Sequence, residues 1–240
     1  SCWRRWFRGK QMQDLTVLSR AWITPAIPAE IPHGDMPGDK VSINEGHIAK
    51  ANLIFPRLCA LLSESFAQNP AGKAVVSVCG GSGVGKSETA SLLSYYLNQL
   101  GVGAYTLSGD NYPRRIPFFN DAERLRVFRV AALRELLAMG EYDAARAKTL
   151  AKLMQEGREA DLSAQHEHPW LAIYQKAGRA GLSGYLGTQN EIDFSELSGI
   201  LAQFKGGKEE IFLKRMGRDE TALWYDAVDM RNISVLVVEW

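Results

Sequence analysis

Ala74-Val-Val-Ser-Val-Cys-Gly-Gly-Ser-Gly-Val-Gly-Lys-Ser-Glu-Thr-Ala-Ser-Leu-Leu93 is the stretch on which the fold turns. Its opening six residues form a short, continuous apolar run rich in valine. Such a run reads as a strand buried on both faces, as in a parallel sheet. From Ser87 to Leu100 the apolar residues Ala90, Leu93, Leu97 and Leu100 return at helical spacing, and Gly101 stops the pattern. Between strand and helix lies G-x-x-x-x-G-K-S, matched in full. Glycines let a backbone wrap so that several N–H groups point inward, and a helix N-terminus adds a dipole that favours anions. Gly80, Gly81, Ser82, Gly83, Val84, Gly85, Lys86, Ser87 and Glu88 are therefore expected to hold the phosphates of a nucleotide. Lys86 would reach the β- and γ-phosphates and Ser87 would offer its hydroxyl to Mg²⁺. The bland alternative is a glycine-rich turn, and the strand–loop–helix context argues against it.

The next strand is expected at Ala104-Tyr-Thr-Leu107, ending on Ser108-Gly-Asp110, and a third, buried one at Ile233-Ser-Val-Leu-Val-Val-Glu239. Strand, helix and strand in this order make a βαβ unit, and hence a parallel sheet. Ligands of open α/β sheets lie beyond the carboxyl ends of the strands. A carboxylate at Asp110 could there take a proton from an attacking hydroxyl. Arg114 and Arg115 follow, suited to an anionic substrate group. The plainer readings are an Asx-turn at Asp110 and solvated arginines.

Residues 1–45 carry Pro25, Pro28, Pro32 and Pro37 and read as an irregular extension that wraps or docks on the core. Trp3 and Trp6 with Arg4, Arg5 and Arg8 could form a nucleic-acid or membrane patch; a packed or solvated stretch is the plainer reading. An amphipathic helix is expected from Glu45 to Ala67, kinked or broken at Pro56. Asp121 to Gly157 reads as mostly helical and 158–190 as loop-rich, with Gly178, Gly181, Gly184 and Gly187. Asp193 to Phe204 reads as a further helix. His166 and His168 are two possible metal ligands with no third nearby. Lys214, Arg215 and Arg218 could grip a phosphate or carboxylate, or form a solvated basic face. Cys79 reads as a small buried residue.

The 240 residues are 46% hydrophobic and 23% charged, with a formal net charge of +1. That balance fits a globular chain and argues against nucleic acid or an anionic membrane as the main partner. Three sparse cysteines without CxxC spacing argue against a disulfide framework or a structural zinc site. No stretch reaches the ~18 apolar residues of a membrane span. A cytoplasmic location is the default expectation. The first residue is Ser1, which reads as a chain whose beginning lies upstream or was removed.

A phosphate loop followed by a strand, an Asp, a polar residue and an aromatic resembles the phosphoribulokinase/uridine kinase family, with pantothenate kinase as a relative. The resemblance makes Asp110 the catalytic base or hydroxyl ligand and brings Tyr112 near the family's substrate-side aromatic. His168-Pro169, the segment Glu191-Ile-Asp-Phe-Ser-Glu-Leu with Phe204-Lys-Gly-Gly-Lys, and the strand ending at Glu239 resemble further family segments. By that resemblance Glu239 is the Walker B-type acid near Mg²⁺. Trp240 departs from the family's usual Gly, and of the family's substrate segment only Arg218 fits. The family's Arg-rich lid and last strands would fall after residue 240, so the adenine pocket is expected to be incomplete here.

The expected fold is thus a three-layer α/β P-loop NTPase domain over 46–240, with a mostly parallel sheet, a helical insertion and the extension 1–45. The expected function is ATP-dependent transfer of the γ-phosphoryl group to a hydroxyl of a small metabolite. Catalysis would rest on Lys86, Asp110 and Glu239, substrate binding on Tyr112, Arg114, Arg115 and Arg218, and Mg²⁺ on Ser87 and Glu239. A homodimer is compatible with this reading. The rivals are an NTPase that hydrolyses nucleotide to regulate a partner, and a nucleotide-binding module without catalysis.

Overall fold

The computed structural model describes residues 15, 17, 20, 22–81, 83–217 and 221–240. The chain divides into two compact units, Ser1–Tyr112 with Phe194–Trp240, and Pro113–Asp193.

The first unit is built on a three-stranded parallel sheet. Its strands are β1 (Ala74–Val78), β2 (Ala104–Ser108) and β5 (Val235–Glu239), in the order β1-β5-β2. Central β5 pairs Val237 with Val76 on one side and with Thr106 on the other. All five of its residues are buried, as a Val/Leu run enclosed on both faces should be. Alternation along β5 sends Val235 and Val237 to one face and Leu236 and Val238 to the other.

The first face packs on α1 (Glu45–Gln68) and α2 (Lys86–Gln99), through Phe55, Cys59, Leu62, Ala90, Leu93, Tyr96 and Leu97. The second packs on α6 (Phe194–Lys205), through Leu197, Ile200 and Phe204, and on Ile211 and Leu213. This is an α/β arrangement with a parallel sheet, as the valine runs imply.

Helix α1 runs unbroken through Pro56. The proline costs about 3 kcal/mol in a helix interior, and the burial of Phe55, Cys59 and Leu62 around it outweighs that. Asn44 caps the helix: its side chain accepts from His47 N at 3.0 Å, and its own N–H donates to His47 Nδ1 at 3.3 Å.

Residues 22–44 hold no helix or strand and dock on this unit. Trp22 packs against Phe55 and Tyr96 with ring centroids 4.3 and 5.1 Å apart. The Trp3/Trp6 patch lies outside the described residues.

Two strands were not expected. β3 (Glu210–Met216) and β4 (Leu223–Asp229) form an antiparallel hairpin, with Arg215 opposite Trp224. Lys214 and Arg215 are buried within β3, and this hides the apolar alternation that announces a strand.

The second unit is helical, with α3 (Pro117–Ala138), α4 (Ala144–Gln155) and α5 (Leu171–Ser183). The stretch 121–157, expected to be mostly helical, is so: it holds most of α3 and all of α4, with Asp143 capping α4 by accepting from Arg146 N. The segment 158–190, read as loop-rich, contains α5. Its glycines are there for contact: a Cβ on Gly178 would fall 2.6 Å from the Phe128 ring, and one on Gly181 2.3 Å from Ala131 Cβ. They let α5 lie close on α3, where Phe128 meets Tyr174 edge-on with centroids 5.8 Å apart.

Candidate active site

The loop between β1 and α2 turns on two glycines with left-handed backbone, Gly83 (φ 75°) and Gly85 (φ 83°). Gly85 is the N-cap of α2. A side chain there would be strained and would also meet His47 Nε2 at 2.8 Å. Lys86 folds back over the loop, its Nζ donating to the Gly81 carbonyl at 3.0 Å. Lys50 on α1 braces the far side, its Nζ donating to the Val84 carbonyl at 2.8 Å. Ser82 lies outside the described residues. Glu88 sits in the first turn of α2.

Parity along β5 aims Glu239 at the α2 side, as it does Val235 and Val237. The Ser87 hydroxyl donates to Glu239 Oε1 at 2.5 Å, so the first turn of the loop helix is tied to the end of the central strand. Glu239 is only 7% exposed, and its Oε2 has no hydrogen-bond partner among the described residues. Burial pushes its carboxyl above the usual range. The Ser87 hydrogen bond opposes this, the charges of Asp110 and Asp39 reinforce it, and Lys86 opposes it. Asp110, in the short 3-10 turn Gly109–Asn111 after β2, is thus near enough for its charge to act on Glu239.

The orphaned, buried Oε2 is a test of fit for Mg²⁺. A hard cation that keeps several waters needs a carboxylate oxygen facing it and a hydroxyl beside it. Ser87 and Glu239 supply that donor set. Among the described residues no group of three or more His, Cys, Asp or Glu could hold a metal ion by itself.

The remaining expected residues have other surroundings where they are described. Tyr112 is fully buried in the core below the turn, its ring under Lys214 Nζ at 5.2 Å. Arg114 donates to Gln189 O at 2.7 Å and faces Asp193 at 3.5 Å. Arg115 donates to the Tyr185 hydroxyl at 3.0 Å and faces Glu123 at 3.7 Å. Both arginines are thus engaged within the helical unit. Arg218 lies outside the described residues. Lys214 and Arg215 are buried and paired, not a solvated face: Lys214 with Glu196 at 2.6 Å, Arg215 with Asp35 at 2.8 Å. Cys79 is exposed, not buried, because it stands one residue past the end of β1.

Sequence reasoning missed the residues around Asp35. Its carboxylate accepts from Ser108 N at 2.8 Å, Tyr105 OH at 2.9 Å, Asn111 Nδ2 at 3.1 Å and the Arg215 guanidinium at 2.8 Å. Burial pushes the Asp35 carboxyl up, against the charge of Arg215 and the hydrogen bonds. Trp240, where the resembled family has Gly, donates its backbone N–H to Val78 O at 2.8 Å and lays its ring over Gly109.

No protein-family model matches the chain, and no solved structure does. Over 172 residues, 72% of this chain, it is 35% identical to the bifunctional alpha-galactosidase/sucrose kinase AgaSK of Mediterraneibacter gnavus. The match spans 14% of that protein's length.

Proposed function

We propose that this chain is a P-loop kinase that transfers the γ-phosphoryl group of Mg-ATP to a hydroxyl of a small, neutral, sugar-like acceptor. The observation that carries the reading is the Ser87–Glu239 bridge at the first turn of the loop helix, with its second oxygen unpartnered among the described residues. A plain glycine-rich turn has no need of a buried, half-satisfied carboxylate at its helix.

The roles follow from position. The loop amides and Lys86 hold the β- and γ-phosphates against the N-terminus of α2. Ser87 and Glu239 would hold Mg²⁺, Glu239 directly or through a bound water, and the cation would supply charge neutralisation to the phosphates. Asp110 accepts the proton of the acceptor hydroxyl as its oxygen bonds to the γ-phosphorus. The bond from that phosphorus to the β–γ bridging oxygen breaks, and ADP leaves. The chain's contribution is mostly positioning and fixed charge.

A neutral acceptor is favoured for two reasons. Arg114 and Arg115, expected to grip an anion, are engaged with partners of their own helical unit, and the charges of Asp39 and Asp110 both act on Glu239. The named relative carries a sugar kinase activity beside a glycosidase one, and a phosphate loop belongs with the kinase. The likeness to the phosphoribulokinase/uridine kinase family is part of this proposal.

The test is ADP release against a panel of sugars, with the phosphorylated product identified by mass. A sugar that raises ADP release in step with product supports the kinase. Hydrolysis indifferent to every hydroxyl compound, yet raised by a protein partner, replaces it with a regulatory NTPase. Asp110→Asn should lower transfer by about 10²–10⁴-fold and leave ATP affinity nearly unchanged. Undiminished transfer removes Asp110 as the base.

A further inference from the structure

Glu239 is reached from the extension as well as from α2. Gly34 is buried and lies against the carboxyl ends of β5 and β2. A Cβ at Gly34 would fall 3.2 Å from Glu239 Oε2, 3.4 Å from Ser108 Cβ and 3.9 Å from Thr106 Cγ2. The oxygen of Glu239 that has no hydrogen-bond partner among the described residues is thus walled by a residue with no side chain.

The wall is fixed by its neighbour. Asp35 and Arg215 each have side chains 8% exposed and pair at 2.8 Å. Arg215 also donates to Tyr105 OH at 2.9 Å and pairs with Asp226 at 3.2 Å. Burying two charges carries a desolvation cost that their attraction only partly returns, so a buried pair is weak evidence for stability and better evidence for fixing one arrangement. What this pair fixes is the strap 31–39 against the end of β2, one residue from Gly34. Four donors from β2, the turn after it and β3 converge on the Asp35 carboxylate, which leaves the strap little freedom to shift.

We infer that the strap 31–39 is part of the phosphoryl-transfer centre, with Gly34 shaping the space at Glu239 Oε2, and with Asp35 and Arg215 as positioning residues that hold Gly34 there. The inference rests on the proposed role of Glu239 toward Mg²⁺ and extends it to Gly34, Asp35 and Arg215, which come from the extension and from β3 and not from the phosphate loop. Small changes in such supporting residues weaken metal binding by about 10–100-fold.

The experiment is isothermal calorimetry of a non-hydrolysable ATP analogue across a Mg²⁺ titration, and of ADP without Mg²⁺. It compares the full chain with Gly34→Ala, Tyr105→Phe and Arg215→Lys. Gly34→Ala should raise the Mg²⁺ concentration for half-maximal analogue binding by about tenfold, with Mg²⁺-free ADP affinity and the thermal midpoint unchanged. Tyr105→Phe removes one donor to Asp35 at constant shape and should shift the Mg²⁺ requirement the same way by less. It and Arg215→Lys carry the test if Gly34→Ala does not fold. A Mg²⁺ requirement equal to wild type in the folded variants overturns the inference, as does equal weakening with and without Mg²⁺. Wild-type binding indifferent to Mg²⁺ overturns the metal role of Glu239 and the strap with it. Mg²⁺-dependent binding that is shifted in Gly34→Ala, in a chain that phosphorylates no sugar, supports the strap and overturns only the kinase.

Discussion

Glu239 holds one carboxylate oxygen on Ser87 and buries the other without a partner among the described residues. Burial is the main reason its carboxyl is pushed up, so this charge is a cost to the folded chain, which the proposed Mg²⁺ role would account for. Glu239→Gln keeps the shape and can still accept from Ser87. It should raise the apo thermal midpoint, with a gain of about 1 kcal/mol, and remove Mg²⁺-dependent nucleotide binding. A lower midpoint with binding intact would make Glu239 a structural residue. The cysteines offer a second measurement. Burial pushes the Cys59 thiol up to about 11, and Cys79 is exposed beside the loop. Iodoacetamide on the native protein, followed by peptide mass mapping, should label Cys79 and spare Cys59. The loop residues, Asp110 and Glu239 were legible because each sits at a strand end or a fixed motif position. Asp35 was not: its partner Arg215 is 180 residues away, and an irregular strap has no periodicity to mark a buried carboxylate. The family resemblance makes Tyr112 a substrate contact, yet its ring turns into the core.

Among elements, the glycines separate two physical roles that one letter hides. In α5, Gly178 and Gly181 are contact surfaces for Phe128 and Ala131. In α6, an added Cβ at Gly199 meets nothing within 4 Å. The same Gly→Ala change should therefore act with opposite sign. Gly199→Ala should stabilise by about 1 kcal/mol through backbone entropy. Gly181→Ala should destabilise by about 1–3 kcal/mol through overpacking. Urea denaturation monitored by circular dichroism measures both, and equal signs would contradict the packing account. This is also why 158–190 resists reading from sequence: its glycines look like chain breakers, but the partner helix that needs the space lies far off in sequence. The strands β1, β2 and β5 and the helices α1, α2 and α6 were legible because their apolar residues repeat at one period with a stop at each end. The hairpin β3–β4 was not, because its buried Lys214 and Arg215 break that period.

On the scale of the whole molecule, the helical unit Pro113–Asp193 begins and finishes at one place: Pro113 bridges Ile192, and Arg114 N donates to Glu191 O at 2.7 Å. The Glu191 side chain, 2% exposed, clasps that junction. It accepts from Gly187 N at 2.7 Å, Asn120 Nδ2 at 3.0 Å and Arg124 Nε at 2.7 Å. Burial alone would raise its carboxyl, but these donors and the Arg124 charge outweigh it and hold the group below the usual range. The sign of the pH effect follows. A carboxyl lowered in the folded state binds fewer protons there than in the unfolded chain, whose glutamates titrate near about 4.3. Its stabilisation is therefore fully present above that value and is lost as pH falls through the folded pKa. Glu191→Gln should cost about 2 kcal/mol at pH 7, the cost of breaking a buried ion pair discounted for the part-exposed Arg124. The gap to wild type should shrink steadily as pH is lowered into the acid range. Hydrogen exchange followed by mass spectrometry places the loss. If the helical unit opens as its own cooperative unit, amides of α3 and α5 lose protection in Glu191→Gln while those of β1, β2 and β5 keep it. Uniform loss across both sets would make the two compact units one folding unit, and a gap that widens toward acid pH would reverse the assignment of Glu191.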